Sequence, residues 1–563
     1  MITRRDFAKL SMSVAALVAS GKSVLATSNN DGNSEGNSTR RVGRRALGSY
    51  WGSHGEKIDL QSGNLSYSIS VLAASSRLLK ARLQCSYNSQ IFMNTASGVK
   101  RFARDTGYGF GWQMQFAAIK PLYKDSGTLI GFSFIDTYGS EYELTESNGL
   151  WVSLNGSYTT WNPSTSTLRF SDGTSMIFGC TSGKYEPDAN TLYPTTIQCP
   201  NGNFIEIAYQ AGLKDSAPNT SSRIVSISDA ESVYASAGSS TYSFSYSEGD
   251  MPRLLSIQSN TIPGNNYTFS YSPQTVIDPF SGNTSKTMNA FVLASVTKST
   301  GVSKQFAYDA YGEMTSVVLE KGAVISWEYQ TFSFADGVQV REVASRSIYP
   351  NGLQGAPDTH YFSRNSSDSA RKTHSSVDIS DGTGSGHQLS FISDASDPNN
   401  GLLSGSRTYS GSKTLHETRK EWSRTSQGAP YVSAHVTTLD PGTADTVRRR
   451  TEIDKDEYGN TVESRQYDSS TSDSSPRILS HSYLKHSSYL SQHILNRKLR
   501  TTVSQGSATR TLHESVFDST DLSDAGIVSH HRSDTHGASF TIRGNATESV
   551  RNGVFRRRYY DAT

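Results

Sequence analysis

Apolar and polar residues alternate over short stretches along almost the whole chain beyond residue 48. The alternation is plain over residues 64–71, 82–87, 131–135, 203–209, 241–246, 267–271, 325–329 and 539–542. Period-two patterning over five to eight residues is the signature of a half-buried strand. Asn148, Asn155, Asn201, Asn351 and Asn552 each precede a glycine, and such pairs favour tight hairpin turns because both residues tolerate positive φ. No uninterrupted amphipathic helix stands out. The best stretch, 468–500, is broken by serines and a proline. Residues 363–413, rich in Ser, Asp and Gly, read as long loops between weaker strands. The pattern predicts an all-β chain of many short antiparallel hairpins.

Composition sharpens this picture. Of 563 residues, 35% are hydrophobic and 18% charged, with 46 glycines and 29 tyrosines. An ordinary domain holds more core formers and more charge. No apolar run long enough to span a membrane lies beyond the N-terminus, and Ala, Glu, Lys and Leu do not dominate as in a helical bundle. Lys and Arg total 53 against 51 Asp and Glu, a net charge of +2, so no global field draws in nucleic acid or anionic lipid.

The N-terminus reads as an address. Arg4 and Arg5 precede Phe7 and Lys9, a mildly apolar stretch follows, and small residues end at Ala26. This resembles the bacterial twin-arginine export signal. The expectation is a signal peptide over 1–26, a flexible linker over 27–47, a β-rich region over 48–345 and a further repeat region over 346–563. The mature chain would then lie outside the cytoplasm, in the periplasm, at the cell surface or beyond, with no transmembrane anchor after signal removal. In such an oxidising place a bridge between Cys180 and Cys199, each closing a strand-like run, is open to formation.

An internal repeat carries more information than any single strand. Asp136-Thr-Tyr-Gly139, Asp309-Ala-Tyr-Gly312 and Asp456-Glu-Tyr-Gly459 share Asp-x-Tyr-Gly, and Tyr308 precedes the second copy. Tyr308 is read as closing a strand, Asp309 and Asp456 as bonding the turn backbone, and Gly312 and Gly459 as taking positive φ. Partial copies stand at Tyr467-Asp468, Phe517-Asp518 and Tyr560-Asp561.

At these residues the sequence resembles the bacterial Rhs or YD-repeat proteins, the family that includes the teneurin-like YD shells. Tyr308-Asp309-x-x-Gly312-x-Met314 fits the family's Tyr-Asp-x-x-Gly-Arg-Leu unit, with Glu313 where Arg is usual. Arg543-Gly-Asn545-x-Thr547 resembles another segment of such proteins. Elements of the N-terminal half, including 58–64, 86–90 and 107–112, resemble the lead-in region of some bacterial members. The resemblance implies a ribbon of hairpins winding into a hollow shell, here a partial YD-repeat β-shell. The family's core motif, Tyr-Asp-Pro-x-x-Gly-Arg-Phe with a cleavage aspartate beyond it, is absent, and the last repeat stops before its glycine. The expectation is a truncated product, or a shell completed by a further Rhs polypeptide.

Motifs for chemistry are few. No Gly-x-Ser-x-Gly nucleophile elbow occurs. Gly21-Lys22-Ser23 is no phosphate loop, because Ala16 stands where glycine is required. Asp454 to Arg465 begins like a calcium loop but places Tyr458 and Arg465 at ligand positions. His530, His531, Asp534 and His536 form the densest set of metal-ligand types and read as a polar loop. Trp51, Trp112, Trp151, Trp161, Trp327 and Trp422 read as packing residues with stacking on sugars as the alternative. No cofactor is implied, and neither a metal site nor a catalytic residue is assigned. Three functions remain open: an exported non-enzymatic scaffold in binding, contact or toxin delivery; a secreted carbohydrate-binding or carbohydrate-active protein that meets cell-surface glycans; and a remnant of a longer toxin-bearing gene.

Overall fold

The computed structural model describes residues 44–45 and 47–563, except 96–97, 125–126, 154–156, 237–238, 282–285, 468–474 and 527. Two antiparallel systems build the chain. The first is a five-stranded sheet in the order Tyr50–Trp51, Glu56–Asp59, Leu65–Ser76, Leu79–Asn88 and Trp112–Gln115. The second is one long ribbon. From Leu129–Asp136 to Val554–Arg557 nearly every strand pairs with the next in sequence. The hairpin of Cys180–Thr181 with Leu192–Tyr193 stands apart, while Ser175–Ile177 pairs with Thr196–Gln198. Among the described residues the last strand, Val554–Arg557, pairs on one side only. No helix among them is long and apolar enough to cross a membrane.

The alternating stretches become strands and run longer than the pattern alone required. Residues 64–71 lie in Leu65–Ser76, 267–271 in Tyr267–Ile277, and 325–329 in Val324–Ser333. Two expectations change. Residues 539–542 form no strand: Phe540 sits in a turn, where its carbonyl accepts from Arg543 Nε. Residues 363–413 hold the regular strands Ser376–Ser380, Ser385–Phe391 and Leu403–Ser410. Their alternations, such as Val377-Asp-Ile379, are too short to stand out, and cross-strand pairing supplies the order. Residues 345 and 346 lie inside one strand, Gln339–Tyr349, through which the ribbon passes unbroken.

The core fills the space between the five-stranded sheet and the ribbon. Ile58, Leu65, Tyr67, Leu83 and Trp112 from the sheet meet Ile205, Leu254, Leu293, Val317 and Phe362 from the ribbon. Burying these side chains supplies the main drive to fold. The cluster ends at Leu403. Beyond it, strands such as Lys413–Arg424 and Thr461–Tyr467 are half-buried on both faces, and Trp422 packs with Leu402, Leu47 and Tyr142 in a small separate cluster, so this stretch is a wall largely one sheet thick outside the main core.

Side-chain alternation identifies the two faces of that wall. Leu389 faces the core, and His387, two residues away, shares its face. Pairing carries this face outward through Thr408 to His416, and through Ser406 to Thr418 and Thr437. Lys420 pairs with His435 on the same side. The core-facing side thus changes from aliphatic to His, Thr and Ser. The opposite face carries ion pairs: Arg450 with Glu452 at 2.9 Å, Arg465 with Asp454 at 2.8 Å, and Arg419 with Glu417 at 2.9 Å.

The wall returns to the N-terminal half of the chain. Ile494 bridges to Asp172 and His531 to Asn203. Arg169 donates to Ser491 O at 2.9 Å, and His493 Nε2 lies 3.0 Å from Tyr158 O.

Candidate functional site

The Asp-x-Tyr-Gly segments form one turn three times. In the fullest copy the strand Ser303–Tyr308 ends in a bulge, and Asp309 opens the turn. Asp309 N–H donates to Glu313 O at 2.9 Å, and Gly312 N–H to Asp309 O at 3.1 Å. Asp309 Oδ1 accepts the N–H groups of Tyr311 and Glu313, both at 2.9 Å. Gly312 has φ +80°, and a Cβ there would lie 3.1 Å from Phe110. Asp456 repeats the pattern with Tyr458 at 3.0 Å and Asn460 at 2.9 Å, and Gly459 also has φ +80°. Asp136 does the same with Tyr138 at 2.8 Å and Ser140 at 2.9 Å. A carboxylate accepting two main-chain N–H groups satisfies donors that a tight turn would otherwise bury unpaired.

The Asp309 turn is docked onto the five-stranded sheet. Tyr87 Oη donates to Gly312 O at 3.1 Å and accepts from Met314 N–H at 2.9 Å. Tyr308 Oη donates to Leu293 O and accepts from Trp112 Nε1, both at 2.8 Å. Burial raises the Tyr308 phenol far above its ordinary value. Glu313, the residue after the turn glycine, meets an arginine from another strand: Arg341 NH2 lies 2.7 Å from Glu313 Oε2 and 3.8 Å from Asp309 Oδ2. Burial pushes the Glu313 carboxyl up to about 8 against the opposing pull of Arg341. Burial also raises Asp309, again opposed by its turn N–H groups and Arg341.

A tyrosine at a strand bulge is a recurring latch. Tyr209, Tyr246, Tyr308, Tyr329 and Tyr483 each stand at a register shift. Each hydroxyl donates to a carbonyl one or two strands back, as Tyr329 does to Met314 O at 2.8 Å and Tyr209 to Pro194 O at 2.9 Å. Bulges twist a strand pair, and the latch fixes each twist to its neighbour. Trp422 does the same through Nε1, 2.9 Å from Leu403 O.

Two partial copies have other uses. Asp518 opens no hairpin; its carboxylate accepts the N–H groups of Arg543, Gly544 and Asn545 at 2.9, 2.7 and 2.9 Å. It also accepts from Tyr489 Oη at 2.9 Å. Arg543 is fully buried and bonds only carbonyls: Asn201 at 3.0 Å, Ala562 at 2.9 Å, Phe540 at 2.8 Å, Gly537 at 2.8 Å and also His536. Tyr560 Oη donates to Ala546 O at 3.1 Å.

The remaining sequence-predicted residues are placed as follows. Cys180 and Cys199 are buried free thiols in the structure. The Cys180 thiol donates to Ser221 O at 3.1 Å, and burial pushes it up to about 12. His531 is held by Ser533 Oγ and Asn201 O, both at 2.9 Å. Among the described residues no group of three metal-ligand side chains converges. Trp112, Trp161 and Trp327 are core residues, each at most 2% exposed, while Trp51, Trp151 and Trp422 are half-buried. Arg4, Arg5, Phe7, Ala26 and Asp468 lie outside the described residues. Arg341 and the Asn201 carbonyl carry no local sequence signal for their parts in these contacts.

No family model matches the chain, and no curated protein does. Several solved structures are similar to it. One is the TcdB2-TccC3-Cdc42 complex, at 9% identity and a TM-score of 0.33, covering 81% of this chain and 27% of that one. Another is the Photorhabdus luminescens Tc holotoxin pore, at 9% identity and 0.26, covering 82% and 29%. A third is the N-terminal domain of the effector protein SpvB from Salmonella typhimurium strain LT2, at 11% identity and 0.18, covering 50% and 98%. The chain thus spans less than a third of the Tc chains that it matches.

Proposed function

We propose that this chain is an exported, non-enzymatic scaffold of the Rhs/YD-repeat kind, whose wall holds or displays another segment in a contact, binding or toxin-delivery role. The observation that carries this reading is the wall beyond Leu403. It is a continuous hairpin ribbon, largely one sheet thick, whose core-facing side turns from aliphatic to His, Thr and Ser. A sheet with polar side chains on both faces, neither packed into the main core, suits a boundary between two spaces. The repeated Asp-x-Tyr-Gly turn and tyrosine latch keep such a ribbon in register without a second layer. Their resemblance to the YD unit supports the family reading, and Arg4, Arg5, Phe7 and Ala26 support export.

Fractionation of cells expressing the full chain tests this. The expected result is a chain shortened near Ala26 outside the cytoplasm, with the Arg4→Lys/Arg5→Lys variant retained inside. An unprocessed cytoplasmic chain, or equal export of the variant, overturns the export claim. A glycan array tests the scaffold claim against the carbohydrate reading. Selective sugar binding abolished by Trp51→Ala or Trp151→Ala would favour the latter.

A further inference from the structure

Away from the Asp309 turn lies a cleft of about 500 Å³. Arg101, Arg104 and Arg253 line it, with Asp105 as its one described acid. Its apolar lining includes Phe110, Met251, Met288 and Phe291. Such a volume is in the range of small-molecule sites.

The acid is already committed. Asp105 Oδ1 accepts the N–H groups of Gly107 at 3.0 Å and Gly109 at 3.1 Å, and Oδ2 lies 3.1 Å from Arg253 Nε. Arg253 is also stacked on the Phe291 ring, 3.8 Å from its centre. That leaves two arginines without a carboxylate among the described residues. Arg104 NH1 donates to Pro187 O at 2.6 Å, and Arg101 NH1 has only the Met288 sulfur at 3.0 Å. A guanidinium offers five donors in a fixed fork. Most of those on Arg101 and Arg104 meet no protein acceptor among the described residues. Two cationic forks beside a phenyl ring and two thioethers suit one kind of guest: an oxyanion on an apolar body.

We propose that this cleft binds a small organic oxyanion, an aryl or alkyl phosphate, sulfate or carboxylate. The anionic head pairs with Arg101 and Arg104, and the apolar body lies against Phe291, Met251 and Met288. The site is independent of the scaffold reading, since it uses neither the wall nor the export signal.

Calorimetric titration of the full chain with phenyl phosphate, inorganic phosphate and benzyl alcohol tests the proposal. Phenyl phosphate is expected to bind about tenfold more tightly than either other probe, a step set by one charge-assisted contact or one buried ring. Its affinity should fall with added salt. Arg101→Ala/Arg104→Ala, two exposed positions, should weaken phenyl phosphate about tenfold or more and leave the melting temperature unchanged. Benzyl alcohol or inorganic phosphate binding as well as phenyl phosphate overturns the proposal. So does an unchanged affinity in a folded double variant, or no phenyl phosphate binding at all.

Discussion

Arg543 donates to the main-chain carbonyl of Asn201, 342 residues earlier in the chain, at 3.0 Å. The same guanidinium reaches Ala562 O at 2.9 Å. One buried cation therefore ties the ribbon's return to the Asn201 turn in the N-terminal half of the chain. Desolvation by burial lowers its pKa, and five carbonyl dipoles take the place of a counter-ion. Arg543→Ala should cost about 3 kcal/mol or more, because five carbonyls lose a charged donor at once. Urea denaturation checks the size. Arg543→Lys should recover little, since one ammonium cannot span the fork's acceptors.

The turn aspartates should behave as staples. Asp309→Ala leaves the Tyr311 and Glu313 N–H groups without their acceptor and costs about 2–3 kcal/mol, while Asp309→Asn keeps one acceptor oxygen and costs less. Asp456→Ala should act in the same direction. Denaturation midpoints of the three variants, with unchanged slopes, are the check.

Two glycines of the same conformation should differ. Gly428 has φ +87° with open space around it, whereas a Cβ on Gly459 would fall 1.8 Å from Tyr158 Cε2. Gly428→Ala should cost about 1 kcal/mol, the price of the left-handed conformation alone. Gly459→Ala should cost clearly more. Tyr158→Ala should remove most of that excess, a coupling that a double-mutant cycle in thermal melts would read.

The latch also makes a contrast. Tyr329→Phe removes a hydroxyl that serves Met314 O and should cost about 1 kcal/mol. Tyr271 stands at the same kind of bulge, but its buried hydroxyl has no hydrogen-bond partner among the described residues. Tyr271→Phe should therefore be neutral or stabilising, because it removes an unsatisfied polar group. Paired urea curves decide this.

Much of the architecture was legible because strands announce themselves at period two. Asn148-Gly149 and Asn552-Gly553 do form two-residue turns with positive φ at both positions. The Asp-x-Tyr-Gly pattern marks only some of these turns, because the main-chain ring rather than the aspartate is what recurs. Lys298–Gly301, Leu319–Gly322 and Thr425–Gly428 close the same hydrogen-bonded loop with no aspartate at the first position. A glycine four residues into each break was the more general sign. The Arg543 contact and the Arg101–Arg104 cleft were not legible. They depend on how the sheet curves, which no local pattern encodes.

The wall's inner face should be sensitive to acid. Burial lowers the His387 imidazole to about 4, with His416 adding to the shift and Asp378 opposing it. Thr408 Oγ1 lies 3.1 Å from its Nδ1. As pH falls from 6.5 the unfolded chain takes up this proton first. Stability is therefore lost between pH 6.5 and about 4, and this group adds no further loss below that range. His416 and His435 shift in the same direction. His387→Gln should flatten the pH dependence of the urea midpoint across that window relative to the parent chain.

Hydrogen–deuterium exchange of the purified chain, read peptide by peptide, tests the central claim most directly. A continuous ribbon predicts slow exchange across 413–467 although the main core cluster ends at Leu403, and Arg543→Ala should speed exchange at 201–204 and 543–562 together. Exchange across 413–467 as fast as in an unfolded peptide would contradict the wall. Unaltered protection at 201–204 in Arg543→Ala would contradict its tie to the earlier strands.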